Sequence, residues 1–329
     1  MPHGARSVIA SVGAGRMGRG IAHAFAYAGH EVHLLDIKPR SAEAFATLEA
    51  EARAEVEASL GFLAEAGLLS RDLIGMILAR ITVHPADAAP AALARCAFVF
   101  EGVPETETAK RQALAFIDQH AGPDAIVAST TSTFLSTLLA GMTGRPARFL
   151  NAHFLNPAYL VPLVEVSPHP DTDAAVTTAL VQLLESIGKV PVVCKASPGY
   201  IVPRIQALAM NEAARLVEEG VASAEDVDKA ILYGFGVRFS VLGLVEFIDW
   251  GGGDILFYAS RYMAQAMGDD RFKAPAAVEE NMAQGRIGMK TGQGFYDWQG
   301  RDVEAHRKRR IGEFVALLRH LGQMRPPVV

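Results

Sequence analysis

The sequence contains few cysteines and no long apolar run, and both shortages narrow the class of protein. Only two cysteines, Cys96 and Cys194, occur in 329 residues. A disulfide-stabilised extracellular fold is therefore not indicated, and a reducing cytoplasm is expected. Neither cysteine has the spacing of a metal ligand, so no metal site is predicted. No apolar run reaches the roughly 18 residues of a transmembrane helix, and the first residues lack a signal-peptide pattern, so no membrane partner is expected.

The charge balance is close to neutral. The formal net charge of -5 gives no reason to expect a nucleic acid partner. Half of the residues are hydrophobic and 20% are charged, which is ordinary for a globular protein. At 329 residues the chain is long enough to form two domains.

A glycine-rich turn stands near the start of the chain. The apolar run 8–12 leads into Gly13-Ala14-Gly15-Arg16-Met17-Gly18, and a helical pattern follows from Met17 to Ala28. In a turn between a strand and a helix, the first glycine allows the bend, the second admits a pyrophosphate and the third allows close packing. The helix N-terminus, at Arg16 and Met17, offers free N–H groups to the phosphates.

An acidic residue follows the next strand pattern. The run 31–35 ends in Asp36, eighteen residues after Gly18, where a carboxylate can accept from an adenosine ribose hydroxyl. Asp36 favours NAD over NADP because it would repel a 2′-phosphate, although Lys38 and Arg40 weaken this argument. A glycine turn that serves packing alone is the structural alternative.

Two more strand patterns end in polar clusters. The run 97–100 is followed by Glu101 to Glu105 and a helix containing Lys110, and the run 125–128 by the cluster 129–132, which includes Ser132. Strands that alternate with helices predict a mostly parallel sheet with ligands at the carboxyl ends of its strands. Glu105 could equally complement a helix dipole, and Ser132 could equally be a helix cap.

The stretch that indicates chemistry contains a histidine and a glutamate. His153 ends a short predicted strand, and Glu165 lies inside another apolar strand. A carboxylate in an apolar strand needs a partner, and an imidazole can be that partner. Such a pair suits proton transfer, because the carboxylate orients the ring and balances the imidazolium. A core histidine beside an unrelated ion pair is the alternative.

The pattern becomes helical after residue 196. The sequence therefore predicts an α/β fold, a Rossmann-type doubly wound sheet over 1–196, followed by an all-helical C-terminal domain over 197–298. The tail, 299–329, contains a basic amphipathic segment from Arg301 that ends in Pro326-Pro327. It is interpreted as a surface or docking helix.

These motifs together resemble the 3-hydroxyacyl-CoA dehydrogenase family from about Val8 to Trp298. The family pairs a histidine in an H-x-x-N-P segment with a glutamate twelve residues later, as His153, Asn156, Pro157 and Glu165 do. It has a serine twenty-one residues before the histidine, here Ser132, and a K-T-G-x-G-F-Y segment, here from Lys290. The resemblance implies that NAD contacts a set of nine residues: Gly13, Gly15, Gly18, Asp36, Glu105, Lys110, Ser132, Asn156 and Lys290. It also implies a homodimer formed by the helical domain over the substrate cleft.

Two positions depart from the family pattern. Pro203 replaces an asparagine usual in the family, which removes a side-chain amide near the histidine. The segment 41–67 carries six glutamates and only Arg53, where the family usually has a serine and a lysine for the CoA nucleotide.

The expected activity is NAD-dependent oxidation of a small substrate. His153, Glu165 and Ser132 are the expected catalytic residues. The expected substrate is an (S)-3-hydroxyacyl-CoA with a short acyl chain. A free 3-hydroxy acid such as gulonate or carnitine is the alternative substrate. A dinucleotide-binding protein without turnover is the alternative of another class.

Overall fold

The computed structural model describes residues 6–325 and residue 327. The predicted end of the tail at Pro326 lies outside the described residues. The chain forms two compact units, Met1–Ala209 and Met210–Val329. The sequence-based domain boundaries at 196/197 and 298/299 stay predictions.

The first unit is built on one eight-stranded sheet. Its strands run in the order β3-β2-β1-β4-β5-β6-β7-β8, and every neighbouring pair is parallel except β6 with β7. The strands are β1 (Ile9–Val12), β2 (Val32–Leu35), β3 (Ile81–His84), β4 (Phe98–Glu101), β5 (Ile126–Ser129), β6 (Phe149–Phe154), β7 (Leu163–Pro168) and β8 (Val190–Val193). The order reverses between β1 and β4, so a ligand crevice is expected beyond the carboxyl ends of these two strands.

Helices cover both faces of the sheet. They are α1 (Arg16–Tyr27), α2 (Ala42–Glu65), α3 (Leu73–Leu78), α4 (Ala89–Leu93), α5 (Glu107–His120), α6 (Ser136–Ala140) and α7 (Ala174–Ser186). Neighbouring strand residues point to opposite faces, so Leu34 packs with α1 and α2, whereas Leu35 packs with α4 and α5. The predicted Rossmann-type class is confirmed.

Three short elements of this unit were not predicted from the sequence. The edge strand β3 and the short helices α3 and α4 lie between 67 and 97, where no element was predicted. Strand β3 is only four residues long, and its alternating burial gives a weak pattern in so short a run.

The second unit is helical. Helix α8 (Val202–Glu218) crosses the boundary between the units, and a π-helical turn, Ile231–Gly236, lies in the second. Its other helices are α9 (Ala224–Ala230), α10 (Val237–Phe239), α11 (Leu244–Gly251), α12 (Gly253–Met267), α13 (Ala276–Ala283) and α14 (Val303–His320). The Ser223 side chain accepts from the Asp226 N–H and caps α9.

The basic tail segment forms α14 and contacts α11. The Glu246 carboxylate accepts from Arg310 at 2.9 and 3.0 Å and contacts His306 Nε2 at 2.7 Å. These contacts hold the pKa of Glu246 below its usual range, although burial opposes them. The cationic face of α14 is therefore partly neutralised within its own unit.

Within the described part of the chain, no single helix is long and apolar enough to cross a membrane. Helices 224–239 and 244–251 meet that length and composition only as a pair, and they are bent by 85°.

Candidate active site

The glycine turn lies at the carboxyl end of β1. Gly13 has φ +106°, and a Cβ atom there would lie 2.8 Å from the Gly102 carbonyl oxygen that follows β4. A Cβ on Gly18 would lie 1.9 Å from the Gly13 carbonyl oxygen, so helix and turn pack without room for a side chain. Gly15 is exposed and faces open space, with exposed Arg16 and half-buried Met17 next to it at the start of α1. The turn thus leaves room for a phosphate before the helix N-terminus.

A cavity of about 460 Å³ lies beside this turn. It is lined by Gly13, Ala14, Gly15, Arg19, Asp36, Ile37, Lys38, Arg40, Leu48, Gly102, Val103, Pro104 and Glu105. Asp36 is buried directly after β2, its backbone N–H donates to the His84 carbonyl oxygen, and its carboxylate contacts the Arg40 guanidinium. The open space at Gly15 and the carboxylate of Asp36 suit the pyrophosphate and ribose of a dinucleotide.

Lys110 lies beneath the cavity wall instead of on it. Its side chain is only 1% exposed, and its ammonium donates to the Glu101 carboxylate at 3.0 and 3.1 Å. Glu101 is also fully buried and accepts from the Ser129 hydroxyl at 2.6 Å and the Val103 N–H at 2.7 Å. Glu101 was not among the predicted site residues, although an acid at the end of an apolar strand is the same signal that identified Asp36.

Glu105 and Ser132 meet at the neighbouring strand ends. The Glu105 side chain is 38% exposed and accepts from the Thr131 hydroxyl at 2.9 Å and from the Ser132 N–H. Lys110 lies 3.4 Å from the same carboxylate. This places exposed Ser132 on a loop that Glu105 fixes, and it places Lys110 behind that loop.

His153 and Glu165 lie directly opposite each other on antiparallel strands β6 and β7. His153 Nδ1 is 2.8 Å from Glu165 Oε2, and both side chains are buried. Glu165 Oε1 accepts from the N–H groups of Ile201 at 2.9 Å and Val202 at 2.8 Å. A carboxylate oxygen accepts hydrogen bonds, and Oε2 faces Nδ1, so we assign the proton of His153 to Nδ1 and a lone pair to Nε2.

Tyr200 supports the histidine from one side. Its ring stacks on the His153 ring with 5.0 Å between the centroids and 3° between the planes. Its hydroxyl donates to the Thr131 carbonyl oxygen at 3.0 Å and accepts from Asn151 Nδ2 at 2.9 Å. Burial raises the pKa of this phenol well above its usual range, so it stays protonated. Its backbone φ of +46°, rare for a residue with a side chain, directs it here, and no sequence motif indicated this role.

The other predicted site residues lie further along the chain. Asn156 is exposed on the loop after β6. Lys290 belongs to the second unit, where its ammonium donates to Asp254 at 2.9 Å. The loop around Lys290 is held by Asp249, whose buried carboxylate accepts from Phe295 and Tyr296 N–H groups at 2.9 and 2.8 Å. The contact of Lys290 with NAD stays a prediction.

Comparison with known proteins gives one consistent family. Residues 8–197 match the model of the 3-hydroxyacyl-CoA dehydrogenase NAD binding domain, and residues 199–298 match the model of the C-terminal domain. The chain belongs to the 3-hydroxyacyl-CoA dehydrogenase family. It is therefore an NAD-dependent oxidoreductase, and its first unit carries the NAD-binding domain.

Individual relatives match most of the chain. A probable 3-hydroxybutyryl-CoA dehydrogenase of Deinococcus radiodurans is 33% identical over 87% of this chain and 98% of its own length. A 5-formyl-3-hydroxy-2-methylpyridine 4-carboxylate 5-dehydrogenase of Mesorhizobium japonicum is 31% identical over 95% of this chain and 97% of its own. The crystal structure of a 3-hydroxyacyl-CoA dehydrogenase of Archaeoglobus fulgidus has a TM-score of 0.74 with 29% identity, covering 97% of this chain and 100% of that one.

The departure from the family pattern at Pro203 has a local structural setting. Pro203 is the second residue of α8, where a missing N–H is tolerated because the first helical turn leaves N–H groups unpaired within the helix. The two N–H groups that hold Glu165 come from the residues before it, Ile201 and Val202. Proline at 203 is therefore compatible with the buried His153–Glu165 pair.

Two substitutions in the glycine turn separate cofactor binding from packing. We expect Gly15→Ala to leave stability nearly unchanged, because its Cβ meets nothing within 4 Å, and to weaken NADH binding because it fills the phosphate space. The expected loss is about tenfold or more. We expect Gly18→Ala to destabilise the protein by about 2 kcal/mol, because its Cβ collides with backbone. NADH fluorescence titration and urea unfolding measure the two effects, and wild-type NADH affinity in Gly15→Ala contradicts the assignment.

Proposed function

We propose that the protein oxidises the C3 hydroxyl of an (S)-3-hydroxyacyl-CoA to the 3-ketoacyl-CoA, with NAD+ as hydride acceptor. The observation that carries this proposal is the buried His153–Glu165 pair, 2.8 Å apart, in a chain of the 3-hydroxyacyl-CoA dehydrogenase family. The name of the Deinococcus relative supports a short acyl chain.

His153 is proposed as the general base. Its Nε2 lone pair takes the proton of the substrate hydroxyl while a hydride leaves C3, the carbon that bears this hydroxyl. The substrate therefore loses two electrons and one proton as hydride, and a second proton to His153. Nδ1 is committed to Glu165, which leaves Nε2 as the ring nitrogen for this transfer.

Glu165 is proposed to stabilise the protonated ring. A fully buried carboxylate beside an imidazolium offsets the charge that His153 gains, and the N–H groups of Ile201 and Val202 keep that carboxylate in place. Tyr200 limits ring rotation through its parallel stack.

The cofactor supplies the hydride acceptor when it is bound. Gly13, Gly15 and Gly18, with the backbone at Arg16 and Met17, are proposed to hold its pyrophosphate, and Asp36 its adenosine ribose. Glu105, Ser132, Asn156 and Lys290 are proposed as further contacts, with Lys110 acting from behind Glu105. Ser132 is proposed to bind the substrate hydroxyl or to position the nicotinamide.

A free hydroxy acid is the second candidate substrate. The α2 helix is acidic on its exposed side, and Glu55 contacts the Arg19 guanidinium at 2.6 Å, so α2 offers little to the phosphates of CoA. The name of the Mesorhizobium relative describes a pyridine carboxylate substrate. Its match covers 95% of this chain and so continues beyond residue 298, where the family models end. These two observations favour the free acid, whereas the family assignment favours the thioester.

A cytoplasmic homodimer that needs neither nucleic acid nor membrane is proposed as the working state. Both cysteines are free thiols, which suits a reducing compartment. Ile255, Tyr258 and Tyr262 follow one face of α12 and are 63%, 61% and 73% exposed. A row of large exposed apolar side chains marks an interface, and a second copy of the helical unit is the proposed occupant.

Substitution of the histidine tests the proton transfer. We expect His153→Gln to lower kcat by about a hundredfold or more, with NADH binding nearly unchanged. Glu165→Gln should slow turnover and move the acid limb of the pH–rate profile to lower pH, because the imidazolium loses its counter-charge. His169→Gln is the matched control, since His169 is a buried histidine bonded to the Pro146 carbonyl oxygen. Wild-type turnover in both test variants contradicts the assignment.

A substrate panel tests the choice between thioester and acid. We expect kcat/KM for 3-hydroxybutyryl-CoA, followed by NADH absorbance, to exceed that for free 3-hydroxybutyrate, gulonate or carnitine by about tenfold or more. If kcat/KM for a free acid equals or exceeds that for the thioester, the free hydroxy acid becomes the favoured substrate.

Light scattering tests the dimer. The expected mass is twice the 35.2 kDa of one chain. Tyr262→Glu should shift the protein towards monomer because it places a charge in the proposed apolar interface. A wild-type mass of one chain contradicts the proposal.

A further inference from the structure

The adenosine end of the cavity contains an arginine next to the ribose-binding acid. Arg40 Nε donates to Asp36 Oδ2, four residues earlier in the loop before α2. Asp36 is held below this contact, since it is buried and its N–H donates to the His84 carbonyl oxygen at 3.0 Å. The guanidinium therefore lies beside the group that is expected to bind the ribose hydroxyls.

Arg40 keeps most of its hydrogen-bonding capacity. Among the described residues, its only side-chain hydrogen bond is the one from Nε, so its two terminal nitrogens remain for a ligand. Both Arg40 and Lys38 line the cavity with Asp36. The ribose end thus carries two cationic side chains and one carboxylate, whereas a site with the acid alone would be anionic.

We propose that this cavity also takes NADP(H), with Arg40 as the residue that sets the preference between the two cofactors. A lone carboxylate rejects a 2′-phosphate by like-charge repulsion. Here the fork of the Arg40 guanidinium can bind that phosphate through two parallel N–H···O bonds, and Lys38 adds a second cation. Asp36 Oδ1 stays available to a ribose hydroxyl, so NAD(H) remains the better ligand while NADP(H) is accepted.

A second arginine in the same cavity provides a contrast. Arg19 Nε donates to the Ala14 carbonyl oxygen at 3.0 Å and Nη1 donates to Glu55 at 2.6 Å, so its guanidinium lies between the glycine turn and α2 instead of beside Asp36. The pyrophosphate expected at this turn is common to both cofactors. Arg19 should therefore act on the affinity for both cofactors without changing the ratio between them.

Equilibrium binding tests the proposal without any substrate. NADH and NADPH are titrated against the full chain by their fluorescence, so the result does not depend on the substrate assignment. We expect NADPH to bind less than about a hundredfold more weakly than NADH, and Arg40→Ala to widen this ratio by about tenfold or more. Arg40→Lys should give an intermediate ratio, because it keeps the charge but loses the fork.

Two control variants separate specificity from general loss of binding. Arg19→Ala should weaken both cofactors and leave the ratio unchanged. Arg53→Ala should change neither, because Arg53 pairs with Glu49 on α2 and does not line this cavity. A ratio in Arg40→Ala equal to that of wild type overturns the proposal, as does a wild-type ratio above about a hundredfold.

Added salt shows whether the cavity attracts or repels the 2′-phosphate of NADPH. If cations bind the extra phosphate, salt should weaken NADPH binding more than NADH binding, because it screens an attraction. If repulsion by Asp36 is the larger effect, salt should instead reduce the difference in affinity between NADPH and NADH, and that result overturns the proposal.

Discussion

The candidate active site depends on how one buried carboxylate is satisfied. Glu165 is fully buried in the sheet, and a carboxyl group in such a place is costly unless its oxygens are hydrogen-bonded. Its three donors come from two parts of the first unit: His153 on β6, and the N–H groups of Ile201 and Val202 at the start of α8. The same contacts that remove the cost of burial also fix the ring of His153 and the point where α8 leaves the sheet.

The rest of the first unit brings ligand groups to the same edge of the sheet. The strand order reverses between β1 and β4, so the glycine turn and the loop that holds Glu105 lie side by side. Loop 129–132, which ends β5, is tied to that loop through the Thr131 hydroxyl. Tyr200 donates to the Thr131 carbonyl oxygen and stacks on His153, so one side chain links the cofactor side to the histidine. Buried polar groups that share partners in this way lose rotational freedom together.

Local sequence patterns were sufficient to predict the features of the site that depend on short-range geometry. Sequence spacing was enough to predict the glycines of the turn, Asp36 after β2 and a histidine at the end of a strand. The family motif supplied the separation in sequence between His153 and Glu165. Other features depend on contacts between distant segments. The N–H groups of Ile201 and Val202 that donate to Glu165 belong to the backbone, so no residue type in the sequence indicates them. The burial of Lys110 beneath Glu105 follows only from how α5 packs on β4. The contact of Arg40 with Asp36 depends on a side-chain rotamer, which spacing alone does not determine.

The central claim is that Glu165 holds the proton of His153 on Nδ1 and leaves Nε2 as the base. Nitrogen NMR of protein labelled with ¹⁵N at histidine reports the tautomer of each ring directly, and a His153→Gln sample identifies the resonance. The account predicts that the neutral His153 ring has hydrogen on Nδ1 and an unprotonated Nε2. A His153 ring with hydrogen on Nε2 and a bare Nδ1 would contradict it, because that tautomer can neither donate to Glu165 nor accept a proton at Nε2.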